Sequence, residues 1–397
     1  MSPPANDPHQ YRYIDQHAAL ADFCASLQGV DWIALDTEFI REKSYYPQLC
    51  LVQVGVPGQA ACIDPLRIGD LSPLFELLYD RSIIKVLHAC SQDLEIFVHL
   101  RDEVPGPIFD TQLAAPLLGL PEQMGYANFV KDRLGQSLDK TQTRTDWSRR
   151  PLSDKQLRYA ADDVRYLADI YPGFREQLDE LGRLEWLQSE FEPWEQLERY
   201  RLDPAQVWKR IRGVEKLRPA ALSTVQLLAE WRERLAQERD LPRNWIFKDD
   251  VLIDIARLAP QQPAELKKIR GLAPKSADRW GERMIALVRE GKQRPPEPLP
   301  DWKKRTRPSG QEEALADILH AQLRLLAERN HINSTVLASR KDLVALVQGD
   351  EDVPVLHGWR REMAGNELLA LYNGKRTVSV KDGSVEISAP DFKGKAD

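Results

Sequence analysis

The chain of 397 residues is 42% apolar and 29% charged, the balance of a globular protein with ordinary cores. Its length calls for two or three domains, and no apolar run of about 18 residues is present to form a membrane-spanning helix. The polar start MSPPANDPHQYRY lacks the hydrophobic core of a secretion signal. The net charge of −6 divides unequally. Residues 1–204 hold 20 basic against 33 acidic side chains, net −13; 205–294 hold 20 against 12, net +8; and 295–397 hold 15 against 16, net −1. An acidic block followed by a basic one points to separate tasks, with the basic block a candidate polyanion binder. Cys24, Cys50, Cys62 and Cys90 form no C-x-x-C pair and read as reduced, mostly buried thiols of a cytoplasmic protein.

In chain order, helical spacing begins over 13–28 and is followed by strand patterns at 32–36, 49–54 and 60–64, close enough together for a meander. A helix over 71–79, a strand at 83–87, a helix over 91–100, a strand at 108–110 and helices over 111–119, 125–134 and 153–181 complete an alternating α/β pattern with a mixed sheet. Ser91 and Ser153 stand where N-caps belong. After residue 204 the strand signal nearly vanishes. Two helical segments, 205–290 and 309–375, flank a stretch rich in proline and charge, GKQRPPEPLPDWKKRTRPSG, which reads as a linker. Leu235-Ala-Gln-Glu-Arg-Asp-Leu241 lines up with Leu326-Ala-Glu-Arg-Asn-His-Ile332 at an offset of 91 residues, the pattern of a diverged duplication. The tail after Asp382 reads as disordered.

Within Ile33–Phe39, Asp36 and Glu38 lie two apart at the end of an apolar strand, so they share a face while Thr37 points away. Two buried acids side by side repel each other and call for a cation or a proton. Asp93 falls in the first turn of the helix after strand 83–87, a place an acid also occupies simply to stabilise the helix dipole. Tyr159 and Asp163, four apart, stack on one face of a helix that Ala160, Ala161, Val164 and Leu167 show to be packed. Four carboxylates converging without histidine or cysteine would form a hard-oxygen site suited to Mg²⁺ or Mn²⁺. Two such ions about 4 Å apart activate a water and stabilise the leaving oxygen of a phosphodiester.

The motifs ALDTEF, HACSQDLEIF and YAADDVRYL, in that order, resemble the three motifs of the DEDD superfamily of 3′–5′ exonucleases, and Tyr159 places the chain in the tyrosine-containing branch. EFIREKSYYPQLCLVQVG, KVLHACSQDLEIF and TDWSRRPLSDKQLRYAADDVRYL are similar to the ribonuclease D family within it. Residues 205–290 resemble the helical HRDC domain, and 309–375 a more diverged copy. The resemblance implies a ribonuclease H-like mixed sheet with flanking helices over 1–204, an HRDC domain over 205–294, a linker over 295–308, an HRDC-like domain over 309–380 and a disordered tail over 381–397. It implies that Asp36, Glu38, Asp93 and Asp163 are metal ligands for two divalent ions. Asp36 would bridge both, Glu38 and Asp163 would serve the ion that holds the attacking water, and Asp93 would serve the other. Tyr159 would orient that water; a phenol with a reference pKa near 10 suits orientation better than proton abstraction.

Tyr45 and Tyr46 follow the first motif and offer rings for a 3′-terminal base, with loop packing as the competing reading. Arg149 and Arg150 precede the last helix and offer a phosphate clamp, or are solvated surface. Gln53 and His88 read as satisfied buried polar groups inside strands. The activity implied is removal of 5′-mononucleotides from the RNA 3′ end, on tRNA precursors and other small structured RNAs, by a monomer that needs no nucleotide cofactor and no membrane. The same chemistry on DNA and a non-catalytic nucleic-acid binder are the alternatives. A helicase is excluded by the lack of any G-x-x-x-x-G-K-[ST] motif.

Overall fold

A computed structural model describes residues 11–139, 141–143, 145–300 and 307–389. Its centre is a sheet of six strands: β1 (Arg12–Ile14), β2 (Trp32–Ile40), β3 (Gln48–Val56), β4 (Gln59–Ile63), β5 (Ile84–Leu87) and β6 (Ile108–Asp110). They lie in the order β1-β4-β3-β2-β5-β6. The meander β2–β3–β4 is antiparallel, and β1, β5 and β6 pair in parallel with β4, β2 and β5. The run LCLVQVG suits β3 to its place because Leu49–Gly55 is buried along its whole length.

Helices α1 (His17–Ser26), α2 (Ser72–Tyr79), α3 (Ser91–Arg101), α4 (Thr111–Ala114), α5 (Tyr126–Leu134), α6 (Asp154–Glu180) and α7 (Leu184–Phe191) surround this sheet. The expected single helix over 13–28 is corrected. Residues 12–14 are recruited as an edge strand, with Ile14 O accepting from Asp64 N at 2.8 Å and the Tyr13 hydroxyl donating to Asp64 at 2.5 Å. Pairing with a distant strand overrides a helical pattern that is only local. Ser153 caps α6, as expected, and does so in a reciprocal capping box with Gln156. Ser91, by contrast, lies inside α3, which Cys90 precedes without a side-chain cap. Helix α6 packs tightly on β3: a Cβ at Gly55 would lie 3.0 Å from Val164 O, so glycine there lets the helix approach.

After the sheet and its flanking helices come α8 (Pro219–Glu238), α9 (Arg243–Ile246), α10 (Asp249–Leu258), α11 (Pro263–Leu266) and α12 (Pro274–Gln293). The next helices are α13 (Gly310–Arg329), α14 (Ser334–Leu337) and α15 (Arg340–Val347), followed by α16 (Gly358–Arg360), a π-helical turn over Arg361–Gly365, and α17 (Asn366–Tyr372). The duplication is visible in three dimensions. Helices α8, α9 and α10 begin 91 residues before α13, α14 and α15, and the left-handed residues Asp240 (φ 48°) and His331 (φ 50°) keep the same offset. The linker reading over 295–308 falls partly on residues outside those described; Glu297, inside it, exchanges hydrogen bonds with Gln226.

The expected disorder from 381 is corrected up to residue 389. Thr377–Lys381 and Ser384–Ser388 pair as a hairpin, β7–β8, around Asp382-Gly383, both with positive φ. An Asp-Gly pair between β-branched stretches is a strong hairpin signal. Residues 390–397 lie outside the described residues. The four cysteines are free thiols, three of them buried, as expected.

Candidate active site

The C-terminal half of β2 delivers Asp36 and Glu38 to the face of the sheet that α6 covers, and α6 brings Asp163 to meet them. One carboxylate oxygen from each of Asp36, Glu38 and Asp163 can be chosen so that all three lie within 4.8 Å of one another. A cavity of about 210 Å³ opens over them, walled also by His88, Tyr126 and Tyr159. At roughly 30 Å³ per water it has room for cations and several solvent molecules.

Strand alternation sends Thr37 the other way, and there its hydroxyl donates to Asp93 Oδ1 at 2.5 Å. Asp93 therefore stands outside the three-carboxylate cluster, buried on the first turn of α3. It remains an electrostatic neighbour, since its charge helps to raise the pKa of Asp36, Glu38 and Asp163 alike. The turn before α3 is itself pinned. Buried Asp110 accepts from the backbone N–H groups of Ala89 (3.1 Å), Cys90 (2.8 Å), Gln112 (2.7 Å) and Leu113 (3.3 Å).

Burial, reinforced by the charges of Asp163 and Asp93, pushes the Asp36 carboxyl well above the ordinary range. Burial and then Asp36 raise Glu38 to about 9; burial and then Glu38 raise Asp163. Asp93 is raised by burial to about 7, with the Thr37 hydrogen bond opposing. Such a site binds protons or cations in preference to standing bare. The donor set, hard carboxylate oxygens with no sulfur or imidazole among the clustered ligands, fits a divalent ion such as Mg²⁺ or Mn²⁺.

Tyr159 lies on the cavity wall one turn before Asp163, its hydroxyl bonded to Thr143 and its ring 6.1 Å from that of Trp147. Burial raises its pKa further, so the phenol stays protonated at neutral pH. Tyr126 is a residue of the site that sequence reasoning misses. Its hydroxyl donates to Asp163 O at 2.5 Å and to Asp162 O at 3.1 Å, fixing the turn of α6 that carries the acid. Nothing local marks it, because it reaches α6 only through the packing of α5.

The weaker expectations fare unevenly. Arg150 is committed to structure: it contacts Asp64 at 2.5 and 2.9 Å and donates to Cys50 O, Trp147 O and Arg149 O. A guanidinium so occupied has no donors left for a phosphate, whereas Arg149 is exposed and its ion pair, with Asp146 at 3.2 Å, lies at the surface. Tyr45 and Tyr46 turn toward the first helical repeat. The Tyr45 hydroxyl donates to Glu233 at 2.5 Å, both backbone N–H groups donate to Asp240, and the Tyr46 ring stacks on His99 at 3.9 Å. His88 lies just past β5 and is satisfied as expected, by Thr111 Oγ1 at 2.9 Å and Met124 O at 2.8 Å. Gln53 is not: neither atom of its buried amide has a partner among the described residues.

A model of the 3′–5′ exonuclease family matches residues 11–179, and one of the HRDC domain matches residues 221–288. The chain is 40% identical over 380 residues to ribonuclease D of Zymomonas mobilis, covering 94% of this chain and 97% of that one. It is 41% identical over 385 residues to ribonuclease D of Sphingobium indicum, covering 94% and 98%. The crystal structure of Escherichia coli RNase D, an exoribonuclease involved in structured RNA processing, superposes with a TM-score of 0.78 at 34% identity, over 92% of this chain and 99% of that one. No helix among the described residues is long and apolar enough to cross a membrane. Likeness over nearly the full length, reaching through both the sheet and the helical region, means that the chain belongs to the ribonuclease D family of hydrolytic 3′–5′ exoribonucleases.

Proposed function

We propose that this enzyme trims 3′ extensions from tRNA precursors and other small structured RNAs, acting as a cytoplasmic monomer with two divalent ions, Mg²⁺ or Mn²⁺, and releasing 5′-mononucleotides. The observation that carries the reading is the meeting of Asp36, Glu38 and Asp163 under one cavity. These three would hold one ion, and Asp36 together with Asp93, which lies outside their cluster, would hold the other. A bound divalent cation supplies positive charge for the phosphoryl oxygens and a nucleophilic water near neutral pH. Tyr159, protonated and steadied by Thr143, orients that water by hydrogen bonding rather than abstracting its proton. Arg149 stays a candidate phosphate contact. Tyr45 and Tyr46 would meet a terminal base only by leaving their present partners.

The body of the RNA is gripped by the basic 205–294 segment through phosphates, a salt-sensitive attraction. The division into a nuclease domain over 1–204 and HRDC-like domains over 205–294 and 309–380 belongs to the same proposal. The test is incubation with Mn²⁺ or Mg²⁺ and 5′-labelled RNA or DNA bearing a single-stranded 3′ tail. Stepwise shortening of RNA with release of 5′-mononucleotides is the expected result; equal digestion of DNA would overturn the RNA preference. Asp36→Asn should abolish cleavage while RNA binding persists, and an active Asp36→Asn protein would overturn the metal assignment.

A further inference from the structure

Gln53 is fully buried, yet among the described residues neither its Oε1 nor its Nε2 has a hydrogen-bond partner. An unsatisfied buried amide is destabilising, so a sequence that keeps one where an apolar side chain would pack calls for a reason. Its position supplies one. Gln53 is the antiparallel partner of Asp36 across β2 and β3, and of Cys62 across β3 and β4. Directly opposed residues share a face with Cβ atoms about 5 Å apart. The face is the one beneath α6, since Gly55, two residues on, touches Val164.

The possible partners are few. On one flank the Cys62 thiol is already directed at Leu157 O, at 3.6 Å. Around Cys62, α6 contributes the apolar side chains of Leu157, Ala160 and Ala161, and it also carries the Asp163 carboxylate that clusters with Asp36 and Glu38. Of the carboxylates on this face, Asp36 is the one in direct cross-strand register with Gln53, and it offers lone pairs on that flank.

We propose that Gln53 is a positioning residue for Asp36. Its Nε2–H₂ donates to the Asp36 carboxylate when that group is ionised and holding a divalent cation, fixing which oxygen faces the ion. The inference rests on the metal reading above. It gives Gln53 a definite thermodynamic signature: the amide is a liability in the metal-free protein and an asset in the loaded one. A residue serving only the packing of the sheet would show the opposite pattern.

The test is titration of the full chain with Mn²⁺ alone, following free Mn²⁺ by its electron paramagnetic resonance, beside thermal unfolding without metal. Gln53→Met keeps the volume and removes the amide. It should weaken Mn²⁺ binding roughly tenfold, the size usual for loss of a residue that orients a metal ligand, while the metal-free melting temperature stays level or rises. Gln53→Asn keeps the amide but withdraws it by one methylene, and should lose affinity similarly. Unchanged Mn²⁺ affinity in both variants, or a lowered metal-free melting temperature with unchanged affinity, would overturn the role of Gln53. Asp36→Asn run in parallel separates the two ideas. If it loses binding while the Gln53 variants keep theirs, only this inference fails; if it binds Mn²⁺ like the unaltered protein, the metal reading fails and this inference with it.

Discussion

The two helical repeats share a plan and are used in opposite ways. Each opens with a helix of 20 residues, passes through a left-handed residue and a four-residue helix, and continues into a third helix at the same offset. In each, that tight turn touches the nuclease domain. Asp240 of the first repeat accepts from the N–H groups of Tyr45 and Tyr46; in the second, Asn333 N donates to Pro116 O and Asn333 Nδ2 to Leu120 O.

The interiors differ. The first repeat encloses its own core, including Trp208, Leu228, Leu252 and Met284, and meets the nuclease loop through polar contacts among Tyr45, Glu233, Gln237 and Asp240. The second has no separate core among the described residues: Leu319, Leu323, Leu343 and Trp359 are continuous with the apolar interior of the nuclease domain. Trp359 stacks on Trp186 at 4.6 Å, Arg360 pairs with Glu190, and Arg183 bridges Leu117 O to Asn330 O. The net charges, +8 for residues 205–294 and −1 for 295–397, follow this division. A repeat that keeps its core to itself leaves its outer surface available for a polyanion, while one fused to its neighbour completes that neighbour. On the function proposed above, duplication supplied one module for binding and one for construction.

Three substitutions probe this contrast. The largest effect is expected from Trp359→Ala, which removes a buried stacked ring and should cost about 3–5 kcal/mol. The loss should appear in the unfolding of the nuclease domain itself, followed by denaturant titration; a nuclease transition left in place would show that the core is not shared. Next is Tyr45→Phe. Glu233 is fully buried, and without the phenol it keeps Arg243 at 3.5 Å, a loss of about 1–3 kcal/mol. Hydrogen exchange should quicken along α8 and the 41–47 loop while α6 stays protected, and equal quickening in both would break the distinction. The smallest is joint replacement of exposed Lys268, Arg270 and Lys275 by alanine. RNA affinity should fall roughly tenfold at low salt, and the dependence of log K on log salt should flatten by about 0.7 for each RNA phosphate left without its cation. The same change at Arg324, Arg329 and Lys341 of the second repeat should leave that slope alone.

What the sequence determined by itself was the local placement of the candidate site. The spacing of Asp36 and Glu38 on a strand and of Tyr159 and Asp163 on a helix is enforced by periods of two and 3.6 residues, which need no tertiary information. Central strands and long helices were legible for the same reason, as was the 91-residue offset. The tertiary structure alone decided which groups remain available. Arg150 and Tyr45 look like binding residues in the chain, and packing commits one to Asp64 and the other to Glu233. It turned residues 12–14 into a strand by pairing them with β4, and it brought Tyr126 to the helix that holds Asp163. It also set Asp93 against Thr37 rather than among the other acids. Local periodicity fixes where a side chain points within its own element; which partner it meets depends on packing between elements far apart in sequence.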